Sequence, residues 1–176
     1  ACEIARIDWP LSPAAAQELA GILVERHYAK GELVLRQGDV CRHMYYVHSG
    51  MVRQYYFKNR RDVTEHFSYE GRIAFCIESY LKQAPSRLMV EALEKTTAYL
   101  IPYDALHALA ARNAEIELLY RRVLEHALIS SQEHADSQRF ETILRAPLLH
   151  IASYLQMSAE TLSRVRSAAS SHHDKS

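Results

Sequence analysis

The sequence predicts an α+β protein with a leading helix, a run of short strands, one long helix and a terminal helix-turn-helix. Three observations predict it. From Tyr28 to Pro102 the chain is rich in Val, Tyr, Phe and Ile and is punctuated by Gly31, Gly38 and Gly50, the pattern of strands closed by turns. From Tyr103 onward the apolar spacing becomes helical. The stretch Leu149 to Arg166 then reads as two short amphipathic helices joined by a tight turn.

Taken in order, Pro13 to Arg26 is Ala-rich, with Leu19, Ile22 and Leu23 at helical spacing. Ser12 suits the N-cap and Pro13 the first helical position. Strand candidates follow at Glu32–Arg36, Met44–His48, Met51–Phe57, Val63–Phe67, Arg72–Phe75, Leu88–Ala92 and Thr97–Ile101. Strands this short and evenly spaced suggest an antiparallel barrel or sandwich rather than a parallel sheet. Tyr103 to Ala111 is a short helix.

Glu115 to about Arg139 is a long helix without Pro or Gly. Ile116, Tyr120, Val123 and Ala127 form one apolar stripe, which Ser130 and His134 continue, and Leu124 and Leu128 begin a second. Two stripes need two partners. One is the chain's own barrel and the other is the same helix of a second chain, with Ile116, Tyr120, Val123 and Ala127 as the expected dimer residues.

On the last helix Glu160, Ser163 and Arg164 fall at i, i+3 and i+4 and share one face. Leu162 and Val165 lie opposite, able to pack on Ile151, Ala152 and Leu155 of the helix before. Ser158 is the expected N-cap, with Met157 and Leu162 as a hydrophobic staple. A helix with one face buried and a Glu/Ser/Arg face open suits the DNA major groove. Arg can grip guanine O6 and N7, Glu can accept from cytosine N4, and Ser can bond base or phosphate. Ser158, Glu160, Thr161, Ser163, Arg164 and Arg166 are the candidate DNA-binding residues. Gln156 stands where such turns often carry Gly.

The totals narrow the function classes. Among 176 residues, 48% are apolar or aromatic, enough for a core. Lys plus Arg equal Asp plus Glu at 21 each, which argues against a nucleic-acid coat over the whole molecule but leaves room for a local basic surface. Between Ser137 and Ser176, five basic residues face three acidic ones. No apolar run approaches a membrane span and no signal-peptide pattern opens the chain. Cys2, Cys41 and Cys76 form no Cys-x-x-Cys pair, so a reducing cytoplasm is expected, with Cys41 and Cys76 as buried small hydrophobes. The ten histidines show no recognised metal-ligand spacing. Asp62 to Glu65 and Glu91 to Glu94 read as solvated charges. No phosphate loop, nucleophile elbow or carboxylate pair supports an enzyme.

Two segments carry a family resemblance. Tyr28-Ala-Lys-Gly-Glu-Leu-Val-Leu-Arg-Gln-Gly-Asp39 and Met44-Tyr-Tyr-Val-His-Ser-Gly-Met-Val-Arg53 resemble the spaced-glycine pattern of a cyclic-nucleotide-binding roll. Glu160-Thr-Leu-Ser-Arg164 is similar to a Glu-x-x-Ser-Arg recognition motif. Together they resemble the catabolite-activator and fumarate-nitrate-regulator (Crp/Fnr) transcription factors.

That resemblance implies a double-stranded β-helix, or β-roll, with its leading helix over residues 1–112. A dimerisation helix over 113–140 and a shortened, winged-helix-like DNA-binding region over 141–176 complete it. It also implies a cytoplasmic homodimer on double-stranded DNA, reading half-sites related to TTGA, with RNA polymerase as a further partner. The effector pocket would fall on Gly71, Arg72, Glu78, Ser79, Ser86 and Arg87. Family members that bind cyclic AMP have Gly-Glu where this chain has Gly71-Arg72, and Arg followed by Ser or Thr where it has Ser86-Arg87. The expectation is therefore no bound cofactor, and a pocket that is orphan or takes an effector other than cyclic AMP. The alternative reading is a ligand-sensing or protein-interaction module of the same fold that does not read DNA.

Overall fold

The computed structural model describes residues 11–132, 146–154, 158, 160 and 162–163. Helix α1 (Pro13–Gly21) starts as expected, with the Ser12 hydroxyl accepting from the Ala15 amide. It ends earlier than the sequence suggested. Val24–Tyr28 is instead strand β1, paired antiparallel along β8 from Val24–Leu100 to Tyr28–Thr96. A five-residue segment with a ready partner edge follows that partner rather than the helix before it.

The remaining strands are β2 (Leu33–Leu35), β3 (His43–Ser49), β4 (Met51–Lys58), β5 (Arg61–Tyr69), β6 (Ile73–Ala74), β7 (Met89–Ala92) and β8 (Thr96–Pro102). They form two antiparallel four-stranded sheets, ordered β1-β8-β3-β6 and β2-β7-β4-β5. Seven of the eight lie where the sequence placed them, within a residue or two at most ends. Helix α2 (Ile77–Lys82) interrupts the strands, and the direct reading of the residues had placed no helix there.

The two sheets close on a core that includes Met44, Val47, Val52, Ala74, Val90 and Ala92. Helices α3 (Tyr103–Ala110) and α4 (Ala114–Gln132) extend this core through Leu106, Leu109, Ile116, Leu119 and Val123. The Ser12 amide donates to Glu115 at 2.7 Å, tying the start of α1 to the start of α4.

This packing corrects the dimer assignment. Ile116 is 0% exposed, Val123 is buried, and Tyr120 and Ala127 pack against the same core. The stripe chosen for a partner covers the chain's own roll, because α4 runs back along it. The apolar surface α4 presents outward is Leu128 (55% exposed) and Ile129 (54%).

Helix α5 (Leu148–Tyr154) lies on β5 and forms a second, smaller core. Ile151, Ala152, Leu162 and Ala146 pack with Met51 and Leu93, flanked by Phe67, Tyr69 and Leu148. Strand β4 is consequently buried on both faces over Met51 to Tyr55.

Candidate functional site

The candidate reading face is built on this second core. Leu162 is buried with Ile151 and Ala152, the inward packing that the sequence spacing required. Its amide bonds the Ser158 carbonyl at 3.0 Å, a helical bond that opens a turn at Ser158. Glu160 and Ser163 are helical and exposed, and Ser158 is exposed. Thr161, Arg164, Arg166, Met157, Leu155 and Val165 lie outside the described residues.

Helix α5 is seated by one hydroxyl with two jobs. Ser153 Oγ accepts from the Thr64 amide at 2.8 Å and donates to the Asp62 carbonyl at 2.8 Å. The Phe67 and Tyr154 rings meet 5.3 Å apart beside it.

Beneath α5 lies an ionic cluster that the sequence reading missed. Arg53 of β4 is only 4% exposed. Its Nη1 donates to Asp62 at 2.8 Å and to the Thr64 hydroxyl at 3.2 Å. Its Nε and Nη2 both donate to Glu91 Oε2, at 3.0 and 2.8 Å. The guanidinium also sits 3.8 Å from the centre of the Tyr55 ring. Asp62 and Glu91, read as solvated charges, are thus the counter-ions of a buried cation. The available signal was an Arg inside the apolar strand Met51-Val-Arg-Gln-Tyr55, since a buried charge requires partners.

His150, on α5, faces this cluster. Its Nδ1 is buried without a hydrogen-bond partner among the described residues. Burial, and then the nearby Arg53 cation, hold its pKa below the ordinary 6.5, against an opposing pull from Asp62 and Glu91. A depressed histidine pKa means the unfolded chain takes up a proton that the folded chain refuses. Stability is therefore fully present above about pH 6.5 and declines as pH falls below it. Thermal unfolding midpoints should drop between pH 7.5 and 5.5 by more in the wild type than in His150→Gln. Equal drops would remove His150 from the effect.

Each of the six expected pocket residues has partners within the roll. Gly71 and Arg72 bond β3 through the Val47 carbonyl and amide, both at 2.9 Å, and the Arg72 guanidinium lies 5.6 Å from the Tyr69 ring centre. Glu78 is exposed and pairs with Lys82 at 2.8 Å, which lowers its pKa. Ser79 Oγ accepts from the Cys41 amide and donates to the Ala84 carbonyl. Ser86 Oγ donates to the Leu88 carbonyl at 2.9 Å. Both hydroxyls are buried and committed to backbone. Arg87 is largely exposed, pairs with Glu65 at 3.1 Å and lies over Tyr56. Arg87 stands in the bend before β7, with its guanidinium outward.

A row of rings leads from this region to the long helix. Tyr80 of α2 meets Tyr103 at 5.0 Å between ring centres, Tyr103 meets His107 at 3.9 Å, and His107 meets Tyr120 of α4 at 5.0 Å. Among the described residues, no three His, Cys, Asp or Glu side chains gather as a metal site, and no helix is long and apolar enough to cross a membrane.

The cyclic nucleotide-binding domain matches residues 25–113, half of the chain. The chain belongs to the cyclic nucleotide-binding domain family. Its fold is shared with FixK2 from Bradyrhizobium japonicum at 19% identity and a TM-score of 0.72, over 86% of each chain. It is also shared with the catabolite activator protein of Thermus thermophilus at 21% identity and a TM-score of 0.62, over 97% of this chain and 88% of that one. The CLP regulator of Xanthomonas campestris, described as responsive to c-di-GMP, shares it at 14% identity and a TM-score of 0.61, over 92% and 93%. No curated protein matches the sequence. These neighbours belong to the Crp/Fnr regulators that the two sequence motifs resemble.

Proposed function

We propose that this member of the cyclic nucleotide-binding domain family is a homodimeric, sequence-specific DNA-binding transcription regulator of the Crp/Fnr type. The observation that carries the reading is the division of faces after Ser158. Leu162 is buried on α5, while Glu160 and Ser163, three positions apart, are both exposed. A recognition helix needs its apolar side supported and its polar side open. By its spacing in the sequence, Arg164 is the expected guanine reader.

The long helix supports pairing through Leu128 and Ile129 rather than through the stripe that packs on the roll. Two subunits would then place two recognition helices in successive major grooves, about 34 Å apart. The rings from Tyr80 to Tyr120 link the effector region to that helix. Displacement of α2 would thus reach the dimer seam through packed side chains. The effector is one other than cyclic AMP, given that Ser79 and Ser86 are spent on backbone and Glu78 on Lys82.

Selection of bound sequences from a random DNA pool, with and without cyclic AMP, tests these points together. A two-fold-related site recovered equally in both arms is the expected outcome. Recovery of no preferred sequence would refute DNA reading, and recovery only with cyclic AMP would refute the effector assignment. Arg164→Ala should then weaken binding to the selected site by about 1–3 kcal/mol and relax preference at one base pair. An equal loss on every sequence would place Arg164 on phosphate instead.

A further inference from the structure

Cys41 and Cys76 are distant in sequence and were expected to be inert core residues. They are buried as expected, at 0% and 3% exposure. They are also neighbours, since both lie in one packed core and the Cys41 amide bonds the first turn of the helix that Cys76 caps. The Cys41 thiol itself donates to the His43 carbonyl at 3.3 Å. Cys41 lies in the β2–β3 connection and Cys76 is the residue that caps α2.

The backbone on both sides is held in place. The Cys41 amide donates to Ser79 Oγ on α2 at 2.9 Å. Gly38 donates to the Ser86 carbonyl at 2.8 Å, Ser86 donates to Asp39 at 2.9 Å, and Val40 bridges Pro85. The β2–β3 connection is therefore joined to both ends of α2, with the sulfurs at the end nearer β6.

The geometry points to a modification site: Cys41 and Cys76 form an oxidisable dithiol that closes to an intramolecular disulfide and staples α2 to the β2–β3 connection. This site stands apart from the terminal helix pair and does not depend on DNA reading.

The two sulfurs divide the chemistry. The Cys76 side chain holds the Cys41 thiol below its usual range, which favours its thiolate. The Cys41 side chain, and then burial, push Cys76 up, so it keeps its proton. With hydrogen peroxide as oxidant, the Cys41 sulfur attacks one peroxide oxygen. The O–O bond breaks, one water leaves, and a sulfenic acid remains. The Cys76 sulfur then attacks the Cys41 sulfur, the S–O bond breaks, and the second oxygen leaves as water. Two thiols have lost two electrons and two protons, and the peroxide has become two waters. Burial makes the reaction slow, because the oxidant reaches the sulfurs only when α2 moves.

The test uses the full chain, reduced and then exposed to hydrogen peroxide, with N-ethylmaleimide added under denaturing conditions before trypsin. Cleavage after Arg36, Arg42, Arg72 and Lys82 leaves Gln37–Arg42 and Ile73–Lys82 as separate peptides, each with one cysteine. The expected product is these two joined, lacking two hydrogen atoms. Free thiols should fall from three per chain to one, and the loss should reverse with dithiothreitol. Cys2→Ser should give the same linked pair, whereas Cys41→Ser and Cys76→Ser should not. Recovery of both peptides alkylated, oxidation of either sulfur to sulfinic acid without linkage, or linkage only through Cys2 would overturn the proposal. The wild-type peptide map decides the matter even where a serine variant fails to fold.

Discussion

Arg53→Ala is expected to lower the unfolding free energy by about 3–5 kcal/mol, the cost of removing one partner from a buried ion pair. The guanidinium makes four hydrogen bonds, to Asp62, Thr64 and twice to Glu91. Without it, two carboxylates and a hydroxyl remain beneath α5 with no cation between them. Those carboxylates keep partial access to water, Asp62 at 27% and Glu91 at 19%, which favours the lower part of the range. Arg53→Lys should recover only part of the loss, since one ammonium cannot reproduce the fork that reaches both acids. Replacing all three charges together, as Arg53→Met with Asp62→Asn and Glu91→Gln, should be milder than Arg53→Ala alone, because no uncompensated charge is left. Urea denaturation midpoints measure all three variants. A triple variant weaker than the single one would show that the cluster is net stabilising rather than merely costly to break.

Gly50→Ala should cost about 3 kcal/mol, at the upper end of what a strained backbone position carries. Gly50 has φ +92, a conformation that side chains disfavour. An added Cβ would also stand 2.6 Å from the Lys95 carbonyl oxygen and 2.6 Å from Thr96 Oγ1. Neither can yield easily. Thr96 is fully buried, and its hydroxyl donates to the Glu94 carbonyl at 2.9 Å and the Met51 carbonyl at 3.3 Å. Gly38 is the control within the same chain. It has the same φ of +92, but nothing lies within 4 Å of an added Cβ. Gly38→Ala should therefore cost only the backbone term, about 1 kcal/mol. Equal losses at the two positions would mean that the close approach of the β7–β8 turn contributes nothing.

The outline of the roll was legible because its signals are short in range. A strand needs a few β-favouring residues between turns, and Gly31, Gly38 and Gly50 mark such turns in the chain itself. The N-cap at Ser12 and the inward side chain of Leu162 were readable for the same reason. Strand β1 was not, because its residues continue a helical pattern and its partner β8 lies some seventy positions later. The face of α4 was legible as a stripe, but not what the stripe would meet. Ile116 and Val123 look equally suited to a partner helix and to the chain's own core until the roll is in place.

Of the candidate site, the local part was visible and the assembled part was not. The polar face of Glu160 and Ser163 follows from helical periodicity, which depends on residues three and four apart. The support beneath it does not, since Ser153 reaches back to Asp62 and Thr64 across about ninety positions. Expected pocket residues such as Ser79 and Ser86 proved to be occupied by backbone partners that only the closed roll brings near.

Periodicity, capping and turn residues were enough to outline an antiparallel roll, a long helix, and the exposure of Glu160 and Ser163 opposite a buried Leu162. Contacts between distant segments settled the rest: Arg53 with Glu91, Cys41 with Cys76, and α5 on β5. The physical reason is the difference in range. Backbone preferences act over a few residues, whereas the pairing of a buried charge or thiol depends on which far-off strand the folded chain sets beside it.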